Sequence, residues 1–133
     1  MALRDNELWK SSDYDAPKRI KPDTVKVRKF AADAGESTLA VGTPVAFDIV
    51  DDEWRVWSAS GTGDVDEIKG FIYPDPVTLH ASKESLVHVM LKGTIHYDDI
   101  VLPDGEEAAD LREALRTDCM PIGLIVDGLD AVR

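Results

Sequence analysis

Residues 86–103 read LVHVMLKGTIHYDDIVLP, and their apolar side chains recur with a period of two. Val87, Val89, Leu91, Ile95 and Tyr97 fall on one side; Leu86, His88, Met90, Lys92, Thr94 and His96 form a mixed or polar second side. That period belongs to a strand with one buried face. Gly93 interrupts the run, where glycine marks a bend, a bulge or a close backbone approach. The strand ends at the polar turn Asp98-Asp99, and a short apolar run stops at Pro103. A strand this long needs neighbours, so the rest of the chain is read for them.

Val45–Val50 alternates Val45, Phe47 and Ile49, turns at Asp51-Asp52, and returns through Glu53–Ser58 with Trp54 and Val56 on one face. This is a hairpin pattern. A third strand is expected over Val65–Tyr73 and a weaker one over Val77–Ser85. Asp104–Thr117 is the one helical pattern: Asp104 as cap, Glu107 three residues on, and Ala108, Leu111 and Leu115 as an apolar stripe. Met120–Val126 is apolar on both faces and is expected as a buried closing strand. The fold class is mainly β with one short helix, an α+β body spanning 39–133.

Residues 1–38 read differently. Apolar residues are sparse there, and Pro17 and Pro22 interrupt any helix. Trp9 and Tyr14 are large anchors with nothing local to pack on. Thr24–Phe30, TVKVRKF, has a strand pattern with basic side chains. It either joins an edge of its own domain or adds to the sheet edge of another chain. The expectation adopted is the second: 1–38 is an extended N-terminal arm and connector, with Trp9, Tyr14, Val25, Val27 and Phe30 as its contact residues.

Charge separates the same two parts. Over residues 1–30, eight cations face five carboxylates, so this segment carries +3 and the remainder −14 of the formal −11. An acidic body repels phosphate, which argues against nucleic acid as partner. A basic arm on an acidic body suits an acidic protein surface. No apolar run approaches the ~18 residues of a membrane span. The first residues are too polar for a secretory leader, so synthesis in a reducing cytoplasm is expected.

No residue pattern points to catalysis, a metal or a cofactor. His88 and His96 share one strand face, but eight residues separate them by roughly 26 Å, too far for one ion. His80 stands apart from both. The carboxylates of Asp51-Asp52-Glu53, Asp64/Asp66/Glu67, Asp98-Asp99 and Asp104/Glu106/Glu107 fall in turns, where Asp makes local hydrogen bonds. None completes a calcium loop; Asp98-Asp99 with Asp104 comes nearest. Gly61-Thr62-Gly63 lacks the lysine of a phosphate loop. Cys119, the single cysteine, is expected to be a buried structural thiol.

Four blocks resemble one family. Gly93-Thr94-Ile95-His96-Tyr97-Asp98-Asp99-Ile100-Val101-Leu102-Pro103 resembles the G-T-aromatic-basic-Y-acid-D-V-L-x-P signature of the head decoration proteins of lambda-like tailed phages. Thr43-Pro44-Val45 with Asp48 is similar to that family's T-P-L entry. Val56-Trp57 with Gly61-Thr62-Gly63, and Ile68-Lys69-Gly70-Phe71-Ile72, resemble its A-W, D-G-T and V-G-I-L segments. Order and spacing agree across about residues 42–126.

The resemblance implies a β-tulip body and a homotrimer on the outer surface of an expanded capsid, at three-fold and quasi-three-fold positions. It also implies an N-terminal segment that pairs with the major capsid protein. Gly93, Thr94, Tyr97, Asp99 and Pro103 are the motif residues it singles out. Trp54, Trp57, His88 and Met90 are the expected subunit contacts, each on a face the core pattern does not require. The basic arm is longer than the family's, and the helix more regular. Two other functions remain open: a cytosolic adaptor whose basic arm folds onto an acidic partner, and a hydrolase using Asp98, Asp99 and Glu53.

Overall fold

The computed structural model describes residues 20–32 and 35–129, and they form a mainly β, α+β body. Its strands are β1 (Lys21–Phe30), β2 (Ser37–Leu39), β3 (Pro44–Asp48), β4 (Glu53–Val56), β5 (Gly70–Ile72), β6 (Val77–Leu79), β7 (Ser85–His96) and β8 (Leu124–Asp127). The six-stranded sheet runs β1-β4-β3-β5-β7-β8. β1 also pairs with β7, so β1, β4, β3, β5 and β7 close into a ring with β8 outside it. The closure between β1 and β4 is one parallel bridge, Phe30 to Trp54, supported by Ala31 N–H donating to the Trp54 carbonyl at 2.9 Å. β2 and β6 form a separate antiparallel ribbon.

β1 corrects the expected arm. From Lys21 opposite Thr94 to Phe30 opposite Ser85, it pairs antiparallel with the chain's own β7. Phe30 is fully buried and Val25 packs against the core. The reason is the edge of β7: the strand is long, its edge would otherwise expose a row of backbone groups, and β1 alternates with a matching period. Ile20 is buried as well, so the body begins by residue 20 rather than 39. Trp9 and Tyr14 lie outside the described residues.

Two apolar clusters occupy the two sides of the sheet. Phe30, Val45, Ile72, Leu79, Val87 and Val89 meet inside the ring, with Trp54 and Val56 packed against them. Trp57, Ile68, Phe71, Met90, Ile95, Leu111, Leu115, Cys119 and Leu124 form the second cluster, between the sheet and the helix. Met90 is therefore core, which corrects its assignment as a subunit contact. Trp57 is corrected likewise: it is buried and its indole N–H donates to the Asp66 carbonyl at 2.9 Å. β7 is buried on both sides at Val89-Met90 because the helix covers the face that the alternation left polar.

The alternation also shifts within β7. Its pairing with β1 slips between Lys92 and Met90, which leaves Leu91 as an extra residue; Asp23 is the extra residue on β1. A bulge moves the side-chain alternation by one position. Ile95 accordingly joins the cluster of Met90, not that of Val89.

The helix is shorter than its sequence pattern. Helix α1 spans Ala108–Ala114, with Glu107 rather than Asp104 at its N-cap position. Asp104-Gly105 forms a turn instead, Gly105 having a φ of +85°. The helical path continues through a π turn, Leu115–Cys119, and a 3-10 turn, Met120–Ile122, and ends at Gly123 (φ +90°). Leu111, Leu115 and Cys119, spaced by four, all face the sheet, whereas Ala108 is exposed. The expected buried closing strand is an edge strand: β8 pairs parallel with Gly93–His96, and Ile125 and Met120 are exposed.

Candidate interaction surfaces

The residues that carry the family resemblance converge on a corner beneath β3. Gly42 N–H donates to the Ile72 carbonyl (2.9 Å), and the Gly42 carbonyl accepts from Val101 N–H (3.0 Å). The Thr43 carbonyl accepts from Ile72 N–H, Pro44 from Trp57 N–H, and Val45 from Lys69 N–H, at 2.8–3.0 Å. Buried Thr43 donates its hydroxyl to the Ala40 carbonyl at 2.7 Å. Four blocks that are far apart in sequence thus share one backbone network through residues 42–45.

Gly93 lies at a three-strand junction. Its φ is +134°, and a β-carbon there would stand 2.5 Å from the Lys21 carbonyl oxygen. Gly93 N–H donates to the Gly123 carbonyl, at the start of β8. Thr94 pairs with Lys21 on one side and Ile125 on the other. The Tyr97 hydroxyl accepts from Arg112 at 3.2 Å and ties the end of β7 to α1. Asp99 is half-buried with its carbonyl against Gly42, and Pro103 accepts from Glu106 N–H. Gly93, Thr94, Tyr97 and Asp99 each fasten two elements of the fold, while Pro103 closes a turn within its own loop.

The β3–β4 hairpin is fastened by Asp48. One carboxylate oxygen accepts from Val50 N–H (2.9 Å) and Asp51 N–H (3.1 Å), and the other accepts from Arg55 Nε at 2.9 Å. Arg55 also reaches Asp51 (3.1 Å) and Glu53 (3.3 Å). The Asp51 N–H first, with Val50 N–H and Arg55, holds the Asp48 carboxyl below the usual range against the opposing effect of burial. The sequence marked Asp51 and Glu53 as turn residues, but neither Asp48 as the acceptor that closes the turn nor Arg55 as their common partner.

Glu53, Asp98 and Asp99 are not brought into one place: Glu53 is engaged by Arg55 on β4, and the other two occupy the 3-10 turn after β7. Among the described residues no three His, Cys, Asp or Glu side chains gather around a position for a metal ion. Cys119 is buried, and burial pushes its thiol up to about 12. No described helix is long and apolar enough to cross a membrane.

Shallow grooves mark the surface of the described residues. A groove of about 540 Å³ runs between the π turn and β8, with Leu115, Met120, Ile125 and Leu129 on its walls. Two smaller ones, about 320 and 260 Å³, flank β2. Of the expected subunit contacts, His88 is exposed and Trp54 half-buried, under the guanidinium of Arg28 and edge-on to Phe47. Val27 is exposed directly opposite His88.

A scan against protein-family models found no match, and a search of the curated proteins found none.

Proposed function

We propose that this chain is a structural, non-catalytic head decoration protein of the kind found on lambda-like tailed phages. It binds as a homotrimer to the outside of an expanded capsid, at three-fold and quasi-three-fold positions, and braces the shell against the pressure of packaged DNA. The observation that carries the reading is the backbone network of residues 42–45. It joins residues of the other three blocks on which the resemblance rests: Trp57, Lys69 with Ile72, and Val101.

The mechanism is mass action. A protein that binds only the expanded lattice stabilises that lattice by an amount set by its concentration and affinity. Straddling the joints between capsomers places the added contacts where a loaded shell parts. The acidic body faces outward, and its repulsion keeps particles apart. With β1 folded into the body, attachment passes to the nineteen residues before Ile20, where Trp9 and Tyr14 are the anchors.

Cosedimentation of the full chain with expanded and unexpanded shells of its cognate major capsid protein tests this. Binding to the expanded form alone is expected, and Trp9→Ala/Tyr14→Ala should weaken it about tenfold or more without changing the fold. Equal binding to both forms, or none to either, rejects the reading.

A further inference from the structure

Two Asp-Gly pairs occur in the sequence, Asp104-Gly105 and Asp127-Gly128. In such a pair the glycine amide nitrogen can reach the aspartyl side chain with no β-carbon in its way. Both aspartates are exposed, so accessibility does not separate them. Their backbones do.

Asp104 and Gly105 are the two central residues of a turn closed by Glu106 N–H donating to the Pro103 carbonyl at 3.1 Å. Gly105 is exposed, and a β-carbon built there would meet nothing within 4 Å. Neither the Asp104 carboxylate nor the Gly105 N–H has a hydrogen-bond partner among the described residues. Asp127-Gly128 is held instead. Asp127 ends β8, in parallel register with His96. Gly128 is half-buried against the His96 ring, where a β-carbon would stand 2.7 Å from Nε2. Leu129 follows, buried in the helix–sheet cluster. Turning the Asp127 backbone towards its own side chain would pull the end of β8 away from β7.

We propose that Asp104-Gly105 is a modification site, at which the folded protein converts Asp104 to a β-linked isoaspartate while sparing Asp127. The Gly105 nitrogen attacks Cγ of the protonated Asp104 carboxyl. An N–Cγ bond forms, and the amide proton and the carboxyl hydroxyl depart together as one water. The product is a cyclic imide, which a second water opens. Cleavage of the N–Cγ bond restores Asp104. Cleavage between that nitrogen and the main-chain carbonyl carbon leaves the peptide running through Cγ, with the former main-chain carboxyl as the free acid. One water is lost and one regained, and no oxidation state changes, so solvent is the only co-reactant. An extra carbon then lies in the main chain just before Glu106, whose carboxylate accepts from Ala59 N–H at 3.0 Å. The lengthened turn loosens that tie ahead of α1. The reaction needs no partner and is independent of the decoration reading.

Full-length protein is aged at neutral pH and physiological temperature, native or in guanidinium, and then digested with trypsin. Cleavage after Lys92, Arg112 and Arg116 puts Asp104 in peptide 93–112 and Asp127 in peptide 117–133. Isoaspartate in each peptide is read by methyl transfer from labelled S-adenosylmethionine with a protein-isoaspartate methyltransferase, and by chromatographic separation of equal-mass isomers. In guanidinium the two peptides should gain it at similar rates. In the native protein peptide 93–112 should keep its rate while 117–133 slows about tenfold or more, because its reaction waits on local opening. Asp104→Glu, whose longer side chain closes the ring far more slowly, should remove the signal from 93–112 and leave the melting profile unchanged. Ala59 N–H should exchange faster in the purified isoaspartyl form. Native protection of Asp104 equal to that of Asp127, or a 93–112 signal that survives Asp104→Glu, overturns the proposal.

Discussion

Gly42 lies so close to the Asp99 carbonyl that no β-carbon fits between them. The glycine has a φ of +95°, and its own carbonyl accepts from Val101 two residues further along the same segment. This contact fastens the entry to β3 onto the turn after β7. Gly42→Ala therefore meets both a backbone clash and a left-handed φ. It should cost at least ~2 kcal/mol, read as a lower urea midpoint at unchanged slope.

Met90 and His88 lie two residues apart on one strand and should respond oppositely to truncation. Met90→Ala empties a fully buried site and should cost about 2–5 kcal/mol. Met90→Lys should leave the chain unfolded, because the ammonium has no partner in that cluster. His88→Ala should stay within about 0.5 kcal/mol of the parent. Equilibrium unfolding of the three variants checks the order.

Asp48 and Asp118 give the protein opposing acid responses. The folded state depresses the Asp48 carboxyl, so the stability it contributes is present above the ordinary value of 3.8 and is lost as pH falls below it. Asp118 runs the other way. Burial raises it, against the bond it accepts from Ile68 N–H at 3.1 Å, so its contribution is full below 3.8 and is lost as pH rises through the raised value. Asp118→Asn keeps an acceptor for Ile68 and should flatten the stability profile just above 3.8. Asp118→Ala leaves a buried N–H without its acceptor and should cost about 1–3 kcal/mol. Asp48→Asn should destabilise at neutral pH and converge on the parent in acid. Thermal melts across pH 3–8 (roughly the carboxylate and imidazole range) read all three.

Cys119 should resist alkylation in the folded protein. Its thiol is enclosed by the helix–sheet cluster and pushed up to about 12, so at neutral pH the thiolate population is negligible. Iodoacetamide should label it only at the rate at which the domain opens. Labelling should become rapid above the urea midpoint.

The alternation of residues 86–97, the Asp51-Asp52 turn and the Asp/Glu-rich entry to a helix were each legible because they are local. Period and turn chemistry act between residues a few positions apart. The sequence by itself thus determined a mainly β body, its hairpin and its single helix. It also placed the acids in turns.

Tertiary structure decided what covers each face. Met90 and Trp57 looked spare because no local pattern announces that a helix will lie over them. β1 looked like an arm because its partner edge, β7, is about sixty residues away in sequence. A strand pattern fixes which side chains share a face, but the hydrogen-bonding edge it joins depends on what else in the folded chain needs pairing. For Lys21–Phe30 that partner was β7 of the same molecule, since an unpaired edge of that length is costly and the matching strand was already attached.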